Sequence, residues 1–389
     1  MSVAPSATSP FDLDVSLPLT IGIVSTFPPT QCGLATFTVA LADGLTAQGA
    51  EVRVVRVADG SPSESPMVVG EVINGRPATL ARAADMLNLC DVAIIQHEYG
   101  VYGGEDGDEV VEILGSLTVP SIVIAHTVLA NPTPHQRSVL TEVAAIADRV
   151  VVMSDSARDR MCQVFDVDPA KIGSIPHGAA LPPAGAVRAG ARRPTLLTWG
   201  LVGPGKGIER VIDAMPHLLR LSSRPRYVVA GRTHPKVLAA DGEAYRNARI
   251  MQAWRNGVAA SIEFDADYRD VPTLTAMIQS STIVVLPYDS REQATSGVLV
   301  DAIAAGRPVV ATAFPHAVEM LASGAGIIVD HDDPGAMVRA LTRLLTDSAL
   351  AARMTAEATR LAPSLGWPVV AAAYLQLAGE LLADRPVLV

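Results

Sequence analysis

The sequence predicts an α/β protein made of two Rossmann-like parallel-sheet domains, and three observations carry that prediction. The stretch 287–312, PYDSREQATSGVLVDAIAAGRPVVAT, with the apolar run 283–286 before it, reads as strand, polar loop, helix, turn, strand. The stretch 20–57 repeats that alternation: TIGIVS, a glycine-bearing loop, a helical pattern, then an alternating strand. Between the two sets lies 179–194, AALPPAGAVRAGARRP, which has no apolar periodicity and the Pro/Gly/Ala texture of a linker. Strands alternating with helices build parallel sheets covered by helices on both faces.

Taken in order, residues 1–18 lack the basic and apolar regions of a secretory signal and read as a disordered leader. A first domain is expected over 19–180. Its strand at 20–25 is followed by a loop at 27–37 (FPPTQCGLATF), a helix at 39–49 and a strand at 51–57. Only Gly33 occupies the turn, and the GxGxxG fingerprint of dinucleotide binding is absent. The strand at 91–96 delivers His97, Glu98 and Tyr99 to the carboxyl edge of the sheet, ahead of the acidic loop GVYGGEDGDE. An adjacent His and Glu there can serve as an acid/base pair or as sugar ligands. The strand at 121–125 brings His126 to the same edge. A helix at 134–147, a strand at 149–153, a helix at 154–165 capped by Ser154 or Asp155, and a strand at 172–175 complete this half.

A linker at 181–194 leads to a second domain at 195–365. Its first strand, 195–200, runs into LVGPGKG, where three glycines and Lys206 at a helix start form an anion cradle. No Ser or Thr follows the lysine, so this is not a Walker A loop. Arg232 lies just past the strand at 227–230 and can fork onto phosphate oxygens. The strand at 283–286 ends at Pro287, and a helix begins at Gly297, with Gly306 and Pro308 closing it. Ser296 and Gly297 at that helix start favour an approaching anion or sugar hydroxyl. Asp332 or Asp333 before Pro334 reads as an N-cap for a helix at 336–345. Helices at 349–361 and 367–382 follow, and the break Gly366-Trp367-Pro368 lets the last segment, 366–389, cross elsewhere.

Composition excludes several classes. At 49% hydrophobic and 18% charged residues, the 389-residue chain can build large cores. Mean hydropathy of +0.31 raises the question of a membrane span, but no uninterrupted apolar run reaches the ~18 residues a transmembrane helix needs. A net charge of −10 argues against nucleic acid as a partner. Three widely spaced cysteines fit neither a zinc site nor a disulfide framework, which points to a cytoplasmic protein. Asp265 and Asp267 stand near each other without a third ligand, so no metal is assigned.

These motifs together resemble family 4 glycosyltransferases of the GT-B fold, and the resemblance covers nearly all of the chain from about residue 20. Lys206-Gly207 match the family's Lys-Gly at a helix start. The family's Glu, seven residues, Glu, then Ala-x-Ala-x-Gly-x-Pro-Val is met by Gln293, Asp301, Ala302, Ala304, Gly306, Pro308 and Val309. The loop PPTQCG puts Gly33 on the family's second glycine, and His126 stands where the family has a histidine after a strand. Three positions depart: Gln293 and Asp301 replace the two glutamates, and Leu201 replaces the arginine five before the lysine. The resemblance implies two Rossmann-like domains facing across a cleft. It implies a retaining, metal-independent transfer of a hexose from a nucleotide-diphosphate sugar of GDP-mannose or UDP-glucose type to a hydroxyl acceptor, with no cofactor. Lys206, Arg232, Gln293, Thr295, Ser296, Gly297 and Asp301 then hold the donor. Gly33, His97 and Glu98 face the acceptor, and His126, Gln293 and Lys206 surround the reacting centre. A non-catalytic nucleotide-sugar-binding protein and a sugar-nucleotide epimerase of the same fold are the alternatives.

Overall fold

A computed structural model of the chain describes residues 18–183 and 193–384, so the expected leader and linker lie largely outside the described residues. The first lobe runs β1 (Thr20–Ser25), α1 (Gly33–Ala47), β2 (Glu51–Val57), β3 (Val68–Val72), α2 (Pro77–Leu87), β4 (Val92–His97), α3 (Glu109–Gly115), β5 (Ser121–Ala125), α4 (Pro134–Ile146), β6 (Arg149–Val152), α5 (Asp155–Val164) and β7 (Ile172–Ser174). The second runs β8 (Thr195–Trp199), α6 (Ile208–Leu218), β9 (Arg226–Ala230), α7 (Pro235–Asp241), α8 (Ala244–Arg255), β10 (Ile262–Asp265), α9 (Val271–Ser280), β11 (Ile283–Leu286), α10 (Gly297–Ala304), β12 (Val309–Thr312), α11 (Pro315–Leu321), β13 (Gly326–Val329), α12 (Ala336–Thr346) and α13 (Ser348–Leu361). The last helix, α14 (Trp367–Ala383), returns to the first lobe.

Both sheets are parallel throughout. The seven-stranded sheet has the order β3-β2-β1-β4-β5-β6-β7, and the six-stranded sheet has β10-β9-β8-β11-β12-β13. Strand order therefore reverses between β1 and β4 in one sheet and between β8 and β11 in the other. The carboxyl ends of strands flanking such a reversal open a crevice, because the connecting loops leave in opposite directions. Each sheet is apolar on both faces, as its near-continuous Val/Ile/Leu strands require.

Helix α14 completes one face of the first sheet: Val370, Ala371, Tyr374 and Leu381 pack with Phe37, Leu41 and Leu45 of α1. Each large buried side chain of that face contributes about 1.5–3 kcal/mol. The helices approach so closely that a Cβ on Gly44 would stand 2.9 Å from Ala371 Cβ and 3.3 Å from Trp367 O.

Several local expectations are corrected. Helix α1 starts at Gly33 rather than 39, because Cys32 caps it, its Sγ accepting from Ala35 N–H at 3.4 Å. Neither Asp332 nor Asp333 caps α12: Gly335 holds that position, and Asp333 Oδ1 accepts from Gly335 N–H at 2.9 Å instead. Ser154 does cap α5. The elements β3, α2, α3, α7, α8, β10, α9, α11 and β13 were not expected from local pattern. Among the described residues no helix is long and apolar enough to cross a membrane.

The lobes touch through specific polar contacts. Ala179 pairs with Gly366, so the outgoing and returning chains run side by side. Ser154 Oγ donates to Ala294 O at 2.6 Å, and Asn131 Nδ2 donates to Glu292 Oε1 at 2.7 Å. Glu319 of α11 accepts from the first amides of α5, Asp155 N at 3.0 Å and Ser156 N at 2.9 Å, and from Ser156 Oγ at 2.6 Å.

Candidate active site

The loops after β8 and β11 flank the reversal in the second sheet, and they hold Lys206 and residues 293–297. Gly207 has φ +61, and a Cβ there would collide with Pro287 O at 1.7 Å, so only glycine lets the lysine loop lie against the β11 loop. The Lys206 ammonium sits 4.5 Å from the centre of the Tyr288 ring. It has no carboxylate partner among the described residues. From an ideal Cβ position on Gly200, Lys206 Nζ is 3.5 Å away and Val298 Cγ2 4.0 Å. The ammonium and the first turn of α10 are thus neighbours. The same turn faces the other lobe, since a Cβ on Gly297 would stand 2.8 Å from His177 Nε2.

The role expected for Ser296 needs correction. Its Oγ caps α10, accepting from Leu299 N–H, and its own N–H is donated to His316 Nδ1 at 2.9 Å. Both groups are engaged in a 3%-exposed residue, so Ser296 builds the loop rather than offering a free amide to a ligand. Gln293 Nε2 donates to Thr295 O at 3.0 Å, which stiffens the loop further. Asp301 is half-buried on α10, and burial raises its pKa to about 7. Arg232 reaches across the cleft, donating to Gln31 Oε1 at 2.5 Å and Gln31 O at 3.1 Å. A phosphate on Arg232 therefore has to displace Gln31.

The first lobe contributes the loops after β1, β4 and β5. Gly33 is exposed, and a Cβ there would meet nothing within 4 Å. His126 Nε2–H donates to Gln96 Oε1 at 2.8 Å; Gln96 Nε2 donates to Thr38 Oγ1 at 2.9 Å, and Thr38 Oγ1 to Leu34 O at 2.7 Å. That chain fixes the His126 tautomer and leaves Nδ1 as an acceptor. Burial, with His177 and His97 nearby, lowers its pKa to about 3, so it is uncharged at neutral pH and a weak base. His97 is 1% exposed, burial lowers its pKa to about 4, and neither ring nitrogen has a protein partner. An imidazole held neutral by burial offers one hydrogen-bond donor and one acceptor near pH 7. Glu98 accepts from Thr127 Oγ1 at 2.5 Å and from Tyr99 N–H at 3.1 Å.

Three residues here escaped the sequence motifs, His177, His316 and Glu319, and Gln31 lies within the PPTQCG loop without a role assigned to it. His177 Nδ1–H donates to Gly178 O at 2.7 Å, so Nε2 is left as an acceptor, and burial lowers its pKa to about 4. Its ring packs edge-on to Phe37 at 5.1 Å and tilted to Trp367 at 6.0 Å. A usable signal existed, since His177 stands just past β7 as His126 stands just past β5. Away from the cleft centre, Asp265 is held by Arg269. Glu105, Asp106 and His135 form a group whose ligand atoms lie within 4.8 Å of one another. Asp106 is already bonded there by His135 Nδ1 and Gln136 Nε2, each at 3.1 Å.

Two family profiles match the chain: Glycosyltransferase Family 4 over residues 32–181 and Glycosyl transferases group 1 over 193–347. The D-inositol 3-phosphate glycosyltransferase of Kineococcus radiotolerans is 28% identical over 274 residues, covering 63% of this chain and 60% of that protein. The enzyme of the same name from Salinispora arenicola is 26% identical over 290 residues, covering 68% of this chain and 64% of that protein. The chain thus spans less than two thirds of the length of these curated relatives. Among solved structures, a glycosyltransferase of Rickettsia africae superposes with a TM-score of 0.74 at 14% identity, covering 95% of this chain and all of that one. Anabaena HepE in complex with UDP and glucose superposes with a TM-score of 0.73 at 14% identity, covering 93% of this chain and all of that one. With one profile on each lobe and both lobes shared with those structures, the chain belongs to the family 4 glycosyltransferases of the GT-B fold.

Proposed function

We propose that the chain transfers a hexose from a nucleotide-diphosphate sugar to a hydroxyl acceptor, with retention of anomeric configuration and without a metal or cofactor. One observation carries the reading: Lys206 Nζ and the first turn of α10 converge at Gly200, beside a strand-order reversal and opposite the other lobe. A lysine ~4 Å from a phosphate contributes up to about 4 kcal/mol per unit charge at a surface-like dielectric. A helix terminus adds about 0.3–1 kcal/mol. Lys206 is therefore the main diphosphate ligand, with Arg232 joining it once Gln31 is displaced. Asp301 takes the ribose hydroxyls, and Gln293, Thr295 and Gly297 face the sugar. Gly33, His97, Glu98 and the Nδ1 of His126 receive the acceptor.

The protein's work in this reading is positioning and charge neutralisation. Lys206 stabilises negative charge on the departing diphosphate, while the neutral histidines orient hydroxyls without competing for protons. The acceptor attacks from the face the leaving group vacates, which preserves configuration. UDP-glucose is a first donor to try, because HepE is described with UDP and glucose; GDP-mannose is the second. Incubating the protein with UDP-, GDP- and ADP-sugars, with thermal shift and free-nucleotide release as readouts, tests this. Stabilisation with release, undiminished by EDTA, is expected. Stabilisation without any release favours a non-catalytic binder, a possibility Gln293 supports by standing where a carboxylate is usual. Conversion between nucleotide sugars indicates an epimerase. No stabilisation by any nucleotide sugar refutes the donor site.

A further inference from the structure

The loop that leads into α10 belongs to the second lobe, yet the first lobe holds much of it. Ala294 is 6% exposed and, among the described residues, is the one second-lobe member of the buried cluster that contains Val128, Val152, Ala157 and Met161. Ser154 Oγ accepts from Ala157 N–H at 3.0 Å, which caps α5, and donates its own proton to Ala294 O. Asn131 Nδ2 binds the Glu292 carboxylate, and Arg160 Nη1 donates to Glu292 O at 2.5 Å. From its own lobe the loop is gripped by His316, which accepts from Ser296 N–H and donates its backbone N–H to Gln293 O at 3.3 Å. Residues 292 and 294 are thus fixed by one lobe, and 293 and 296 by the other.

Helix α5 supplies the grip because of its spacing. Ser156 and Arg160 are four residues apart and share a face, and both meet the second lobe, Ser156 through Glu319. Arg160 does one thing more. The same Nη1 that reaches Glu292 O also donates to Val128 O at 2.9 Å. An Nη carries two N–H groups, one for each carbonyl. Val128 lies two residues past His126, and Glu292 lies one residue before Gln293. Both carbonyls sit in loops outside helix and strand, so no ladder supplies their donors. A guanidinium gives each of them a charge-assisted bond, the stronger kind.

We infer that Arg160 is a positioning residue that fixes the segment after His126 and the loop 292–297 to each other, so that the two walls of the cleft are ordered as one unit. Its kinetic consequences rest on the glycosyl transfer proposed for the cleft; the structural link does not. Because the link is shared, a ligand that orders one wall also orders the other, by reciprocal coupling.

Amide hydrogen exchange on the full chain, without ligand, tests the link first. Arg160→Met keeps a long stem and removes every donor. Exchange at 126–131 and at 290–297 should rise at least about tenfold, the range of a lost charge-assisted hydrogen bond, with the lysine loop 200–207 unaltered. Arg160→Lys, which keeps a charged donor with three N–H groups, should restore part of the protection in both segments. Unaltered exchange in either segment overturns the inference, as does a rise that extends equally to 200–207. If the methionine variant does not fold, Arg160→Gln carries the same comparison. The second arm adds UDP-glucose or GDP-mannose, whichever stabilises the protein. In the parent it should slow exchange at 126–131, and in Arg160→Met that protection should be lost. The KM for the nucleotide sugar should rise about tenfold, while affinity for UDP or GDP alone, held by Lys206, stays as in the parent. Protection at 126–131 that survives in Arg160→Met overturns the inference, and so does an equal loss of affinity for nucleotide and nucleotide sugar. A protein that binds neither nucleotide sugar sinks the donor site instead, and the ligand-free exchange then decides the role of Arg160 by itself.

Discussion

The two walls of the cleft differ in kind. The wall from the second sheet carries an ammonium, a helix N-terminus and an arginine, all suited to a pyrophosphate. The wall from the first sheet carries histidines that burial keeps neutral and a carboxylate pinned by a hydroxyl and an amide. In the proposed reading, charge neutralisation falls to one wall and hydroxyl recognition to the other.

The strongest test of this asymmetry is Lys206→Ala. Donor kcat/KM should fall by about tenfold to a hundredfold, as expected for a Coulombic contribution of a few kcal/mol, with acceptor KM little changed. Equal losses in both constants would break the division between walls.

Asp301 gives a smaller, pH-dependent effect. Its pKa is raised to about 7, so its proton is held more tightly in the folded state than in the unfolded one. As pH rises from the ordinary carboxylate range through about 7, the unfolded chain releases that proton first and the folded state loses stability. Asp301→Asn should therefore raise Tm at pH 8 more than at pH 5. If the carboxylate accepts ribose hydroxyls, donor affinity should rise as pH passes through about 7, and the Asn variant should flatten that rise. A donor affinity equally flat in the parent protein would remove Asp301 from the ribose.

The smallest effect is expected at the contact between the lobes. Burial raises the Glu319 pKa, but the Ser156 hydroxyl, the two α5 amides and His316 outweigh it, so the net shift is downward. The stability it contributes is present above the ordinary glutamate value and is lost as pH falls through the lowered one. Glu319→Gln should weaken the closed arrangement at pH 7 by about 1 kcal/mol after solvent screening. Small-angle scattering would register this as a larger radius of gyration. An unchanged radius would show that Ser154, Arg160 and Asn131 hold the lobes without it.

The two walls are unequally legible in the sequence, for identifiable reasons. Lys206 and Asp301 lie in motifs whose spacing is local, and the strand at 283–286 is legible to the residue because an apolar run ended by proline has one simple reading. Helix α1 reads six residues short because the capping group is a thiol, an uncommon cap. Ser296 reads as a free amide, but His316, twenty residues on, accepts its N–H. His177 carries no motif in the sequence, although a Cβ on Gly297 would stand 2.8 Å from its Nε2 across the cleft.

Apolar periodicity, glycine and proline placement, and one lysine-bearing loop are properties of short stretches of chain, and they alone determined two parallel sheets with a lysine loop at the carboxyl edge of the second. Tertiary structure decided which amides remain available, which histidines stay neutral and where Glu98 faces, because each depends on burial and on partners distant in sequence. Arg232 and Gln31 are 201 positions apart, and Glu319 and Ser156 are 163 apart. No local pattern encodes such pairs; they form only when both sheets are built and their carboxyl edges are brought together.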